Sequence, residues 1–112
     1  MGSGATGSDA GDLQLVVSSV DSHHEVRLLG ELDMSTAPQL REELSRLADG
    51  GVTVVTLDLS DLAFIDSTGL TTLITGLKRF RQEGGDMTLR SPTPATRKVL
   101  EITGLTEVFS IS

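Results

Sequence analysis

The sequence contains no cysteine, no tryptophan and no tyrosine, and only three phenylalanines. Without cysteine there is no disulfide scaffold, no thiolate metal site and no cysteine nucleophile. Without Trp or Tyr there is little on which single-stranded nucleic acid could stack. Basic residues are also few. Nine Lys and Arg against sixteen Asp and Glu leave a formal charge of −7. A chain of that sign repels phosphate backbones and anionic lipid surfaces, which argues against direct nucleic-acid or membrane binding and suits a partner with a basic face. No apolar run approaches the length of a membrane span, and the N-terminus lacks the charged and apolar segments of a signal peptide, so a cytoplasmic location is expected. What remains is 112 residues of ordinary apolar content, enough for one domain that buries about 60% of its unfolded surface.

Residues 1–12 are rich in Gly and Ser and carry no large apolar side chain after Met1, so they read as a flexible tail preceding a domain over 13–112. From Leu13 the pattern alternates, and a second strand around Val26, Leu28 and Leu29 ends at Gly30. The polar Ser19–Ser22 between them makes the pair a hairpin. Ser35-Thr36-Ala37-Pro38 starts a helix with hydroxyl caps and Pro in its first turn. Ala37, Leu40, Leu44, Leu47 and Ala48 form its apolar stripe, and Gly50-Gly51 stops it. The run Val52–Leu59 reads as a central strand covered on both faces, turning at Ser60-Asp61. Leu70, Leu73, Ile74 and Leu77 mark a second helix ended by Gly84-Gly85. Met87–Leu89 is a strand, Thr93-Pro94 opens a third helix that ends at Gly104, and Val108–Ile111 is a last short strand. The order β-β-α-β-α-β-α-β predicts an α/β fold: a mixed sheet with helices packed against it.

The segment with most chemical promise is Phe64-Ile65-Asp66-Ser67-Thr68-Gly69-Leu70, where a strand runs into two hydroxyls and a helix opens. Read structurally, Ser67 or Thr68 is the N-cap and Gly69 allows close packing. Read functionally, a helix N-terminus carries unpaired N–H donors and tolerates an anion, so a phosphate on Ser67 would leave the fold intact yet repel a partner docked over it. Enzymatic readings fit less well. Asp66-Ser67-Thr68-Gly69 has one residue too many for an aspartic-protease signature, no Gly-x-Ser-x-Gly elbow is present, and the only two histidines, His23 and His24, sit together near the hairpin turn. Adjacent on a strand they point to opposite faces, which disfavours chelation, so neither metal nor cofactor is expected. Gly30-Glu31-Leu32-Asp33 is a second cluster, either a solvated turn or an acidic rim beside the Ser67 helix.

Taken together, Val26–Leu32, Ala37-Pro38-x-Leu40-Arg41-x-x-Leu44, Leu57-Asp58-Leu59, Phe64–Leu70, Gly84-Gly85 and Ile102-Thr103-Gly104-Leu105 resemble the STAS domain, and specifically the bacterial anti-sigma factor antagonists. The resemblance spans Leu13 to the C-terminus. It implies a monomeric, non-enzymatic binding module of a partner-switching cycle. The unphosphorylated form binds an anti-sigma factor that is also a serine kinase, which frees a sigma factor. Phosphorylation releases the complex, and a PP2C-type phosphatase resets it. The phosphoacceptor implied is Ser67, with Thr68 as the fallback, and Asp33, Asp66, Ser67, Thr68 and Gly69 are the implied partner-binding residues. A scaffold of a stress-signalling assembly is the alternative. The resemblance also implies a closing helix after the last strand. This sequence stops at Ser112, so one sheet face is expected to be partly uncovered.

Overall fold

The computed structural model describes residues 12–112; the expected tail over 1–12 lies almost wholly outside the described residues. Strands β1 (Leu13–Val20), β2 (His23–Leu32), β3 (Val54–Ile65) and β4 (Asp86–Arg90) form one sheet in the order β1-β2-β3-β4. The β1–β2 pair is antiparallel, and β2–β3 and β3–β4 are parallel, so the sheet is mixed. Helix α1 (Ala37–Asp49) connects β2 to β3, α2 (Ser67–Gln82) connects β3 to β4, and α3 (Pro94–Ile102) follows β4.

The hairpin closes through Asp21 and Ser22, both with positive φ (52° and 68°). A two-residue loop of that hand matches the right-handed twist of the strands it joins. Along β2, β3 and β4 the inward side chains are Val26 and Leu28, Val55, Leu57 and Leu59, and Met87 and Leu89, all fully buried. Helices α1 and α2 supply Leu40, Leu44, Leu73, Leu77 and Phe80 to the same core. Leu100 of α3, Leu105 and Phe109 complete it.

The other face of the sheet is polar, which corrects the expectation of a central strand covered on both sides. Thr56 and Asp58 alternate with Val55, Leu57 and Leu59 and point away from the core. Thr56 lies 3.1 Å from the Thr88 hydroxyl and 3.3 Å from His23 Nε2. Arg90 bridges Glu25 at 2.6 Å and Asp58 at 3.2 Å, and Arg27 pairs with Asp61. Burial pushes Asp58 up, but the Ser60 N–H, the Ser60 hydroxyl and Arg90 together pull it below the usual carboxylate range. The run looked continuously apolar because β-branched Thr56 packs as well as Val in a pleat. Nor does the chain turn at Ser60-Asp61. Strand β3 continues to Ile65, absorbing irregular register against β2 beside Arg27 and Gly30.

The strand expected over 108–111 shortens to a single parallel bridge between Leu89 and Ile111. A 3₁₀ turn over Leu105–Glu107 takes up the preceding residues, with Gly104 at φ 76° as its entry.

Candidate functional site

Two strand-to-helix turns meet at the C-terminal ends of β2 and β3. The register fixes this: Leu32 lies opposite Ile65, and the Asp66 N–H donates to the Leu32 carbonyl at 3.2 Å. Everything that follows Leu32 is thereby brought beside everything that follows Ile65, although the two segments stand 32 residues apart at Met34 and Asp66.

In the β3–α2 turn the N-cap is Asp66, not Ser67 or Thr68 as the spacing suggested. Asp66 has extended backbone (φ −110°, ψ −174°), and its carboxylate accepts from the Gly69 N–H at 2.9 Å. A carboxylate reaches an N3 donor as well as a hydroxyl does and also complements the helix dipole. Its second oxygen accepts the Met34 N–H at 3.2 Å, so one side chain caps α2 and ties down the neighbouring turn.

With Asp66 as cap, Ser67 becomes the first helical residue. It is exposed, and among the described residues its hydroxyl has no hydrogen-bond partner. Its carbonyl accepts from the Thr71 hydroxyl at 3.0 Å, and the Thr68 carbonyl accepts from the Thr72 hydroxyl at 3.0 Å. Thr68 is half-buried beside it. Gly69 is buried against the strand ends: a Cβ there would lie 2.7 Å from the Leu32 carbonyl oxygen and 2.8 Å from Ile65 Cγ1. The absent side chain lets the first turn of α2 sit directly on the sheet, which sets where Ser67 emerges.

The β2–α1 turn is built on Asp33. Its Oδ1 accepts from the Ser35 hydroxyl at 2.8 Å, the Ser35 N–H at 3.0 Å and the Thr36 N–H at 3.1 Å. Those bonds, led by the Ser35 hydroxyl, hold the Asp33 carboxyl below the usual range. Thr36 stands at the helix boundary but makes no side-chain cap; its hydroxyl turns back to the Glu31 carbonyl at 2.8 Å. The side-chain cap expected from Ser35 and Thr36 does not form; the Ala37 N–H donates to the Asp33 backbone carbonyl at 2.7 Å instead. Glu31 is exposed on β2, opposite Phe64 of β3.

The structure thus brings Asp33, Asp66, Ser67, Thr68 and Gly69 to one end of the molecule. It adds two residues to which the sequence drew no attention as a pair. Met34 is 75% exposed and Phe64 50% exposed, both unusual for apolar side chains of their size. The only hint in the sequence is Met34 itself, an apolar residue set between Asp33 and Ser35 in a polar turn. His23 and His24 are elsewhere. They begin β2 while Ser67 follows the end of β3, which lies beside the far end of β2, and a ten-residue strand spans about 30 Å. No serine–histidine pair can form across that distance. Among the described residues no group of three His, Asp or Glu is placed to hold a metal ion, and no helix is long and apolar enough to cross a membrane.

The arrangement presents two hydroxyls that are unpartnered among the described residues, Ser67 exposed and Thr68 half-buried, on the first turn of a helix beside carboxylates. Residues 14–112 match the STAS domain. The anti-sigma-B factor antagonist of Bacillus subtilis is 31% identical over 101 residues, covering 90% of this chain and 92% of the relative. An anti-sigma factor antagonist from Mycobacterium paratuberculosis, 29% identical, superposes with a TM-score of 0.81 over 89% of this chain and 85% of that one. The Bacillus cell fate determinant SpoIIAA, solved in its phosphorylated form, is 27% identical with a TM-score of 0.69, covering 90% of this chain and 91% of its own.

Proposed function

The chain belongs to the STAS domain family, and on that premise we propose that it is an anti-sigma factor antagonist switched by phosphorylation of Ser67. The observation that carries this reading is the free, exposed Ser67 hydroxyl on the first turn of α2, beside the Asp66 cap. The unphosphorylated chain binds an anti-sigma factor and so releases a sigma factor. That anti-sigma factor is also a serine kinase. Ser67 Oγ attacks the γ-phosphorus of ATP, the bond to the bridging oxygen breaks, ADP departs, and the hydroxyl proton passes to a base on the kinase. A PP2C-type phosphatase hydrolyses the product. The antagonist itself catalyses nothing, and its cycle runs in the cytoplasm.

The switch follows from local electrostatics. A phosphate on Ser67 adds about −1.5 to −2 charges at neutral pH. The free N–H groups of the first helical turn tolerate it, so α2 is not undone. A partner seated over Ser67 does not. The phosphate would be desolvated beside Asp66 and near Asp33, and an uncompensated buried charge costs several kcal/mol. Asp33, Asp66, Thr68 and Gly69 are the residues of this end that support docking, the first two as an acidic rim for a basic partner face and the last as the reason the hydroxyl stands where it does.

The test is intact-mass measurement after incubation with ATP and the source organism's anti-sigma kinases, followed by peptide mapping. One added phosphate on the peptide containing Ser67, lost in Ser67→Ala, is expected. Full labelling of Ser67→Ala would move the acceptor to Thr68. Neither labelling nor binding with any such kinase would overturn the antagonist reading.

A further inference from the structure

Of the three phenylalanines, Phe80 and Phe109 are buried and Phe64 is half-exposed. Met34 is the most exposed of the large apolar side chains among the described residues. Neither Met34 nor Phe64 belongs to the core. Single apolar residues scattered over a surface are ordinary, but these two share a place. Phe64 lies opposite Glu31, one residue before the Leu32–Ile65 pair, and the Met34 N–H donates to the Asp66 carboxylate at 3.2 Å. Asp66 therefore touches one of them directly and follows the other by two residues. The backbone that carries them is held. The N–H groups of Met34 and of Ser35 after it are both bonded to carboxylates, and Phe64 is in the parallel ladder of β2 and β3. Side chains on a fixed backbone lose less freedom when they bind. Phe64 offers a rigid ring, and Met34 a side chain that adapts.

The charge around them has one sign. Glu31, Asp33 and Asp66 form no ion pair among the described residues, whose ion pairs all lie elsewhere. No Lys or Arg occurs over 28–40 or 47–77, the segments that build this end. Apolar anchors inside a polar rim are the usual plan of a protein–protein interface. The complement of this one is an apolar pocket whose own rim is basic.

Resting on the antagonist function above, we propose that Met34 and Phe64 are the anchors of the surface around Ser67, inserted into an apolar pocket of the anti-sigma factor rimmed by Lys or Arg. The switch needs them. Carboxylates attract a basic face but hold their water, and charges at a rim act mainly on the rate of encounter. Over a rim alone, a phosphate on Ser67 would stay hydrated and screened. Met34 and Phe64 exclude that water when a partner covers them, so the added charge becomes costly to the seated complex.

Binding kinetics of the full, unphosphorylated chain on the source organism's purified anti-sigma kinases are the test, with Met34→Ala, Phe64→Ala and the rim variant Glu31→Gln. Each anchor variant is expected to raise the dissociation rate roughly tenfold, with circular dichroism, association rate and salt dependence unchanged. Glu31→Gln should do the reverse, slowing association, most at low salt, and leaving dissociation alone. Met34 is outside the core, so Met34→Ala decides the matter should Phe64→Ala fail to fold. Wild-type binding whose dissociation rate is unmoved by the folded anchor variants would overturn the proposal and leave the antagonist function standing. A wild-type chain that binds none of these kinases would overturn that function, and the anchors with it.

Discussion

The β2–α1 and β3–α2 turns are built from the same parts. Each follows a parallel strand, each begins with an aspartate, each continues into hydroxyl residues, and each opens a helix. Asp33 uses its carboxylate within its own turn, on Ser35 and Thr36. Asp66 divides its carboxylate between Gly69 of its own helix and Met34 of the other turn. The first turn is therefore closed, with its hydroxyls consumed. The second is open, and the hydroxyls of Ser67 and Thr68 are left over, Ser67 the more exposed. A helix N-terminus becomes a candidate switch when the cap is taken by a neighbour of the hydroxyl rather than by the hydroxyl itself.

The largest effect expected from breaking this contrast is on labelling by an anti-sigma kinase. Ser67→Ala loses it entirely, while Ser35→Ala, at the equivalent hydroxyl of the closed turn, leaves it at the wild-type level; mass spectrometry of the two variants reads both. Ser67→Asp weakens kinase binding at least tenfold, measured by titration calorimetry.

Next comes the seat of the open turn. Gly69→Val drives a side chain into the Leu32 carbonyl and Ile65. Overpacking of this kind costs about 1–3 kcal/mol, which chemical denaturation should show as a lowered midpoint. Asp66→Ala removes the cap of α2 and the tie to Met34 together, and loss of a cap costs about 1 kcal/mol. The separate loss of the tie is visible as faster amide exchange at Met34, and Asp66→Asn should restore the cap but not the tie, because its amide NH2 cannot accept the Met34 N–H.

The smallest effect sharpens the closed turn. The Asp33 carboxyl is held below its ordinary value of 3.8, first by the Ser35 hydroxyl. A lowered folded-state pKa stabilises the protein above the unfolded value, and that stabilisation disappears as pH falls through the folded one. Stability measured by urea titration should decline below pH 3.8 in the wild type, and less steeply in Asp33→Asn. Equal slopes for the two proteins would deny Asp33 its part in the turn.

Much of this was legible beforehand. The stripes Leu40, Leu44, Leu47 and Leu70, Leu73, Leu77 recur at helical spacing, and helices α1 and α2 formed over them. The hairpin followed from alternation around a polar turn. What escaped depends on neighbours distant in sequence. Val108–Ile111 has strand composition, but Leu89 offers it only one bridge. Thr56 and Asp58 look like part of a buried run until Thr88 and Arg90 of the adjacent strand pair with them.

The sequence by itself determined the order of elements, the acidic character and the presence of a hydroxyl pair at a helix start, because periodicity, charge and cap chemistry are local. Only the tertiary structure decided which residue caps α2, and with it that neither hydroxyl of the Ser67-Thr68 pair is spent on the cap. That choice rests on the parallel register of β2 and β3, which sets Leu32 against Ile65 and carries the Met34 N–H to the carboxylate of Asp66. A cap shared between two turns is a contact across the sheet, and no local pattern encodes it.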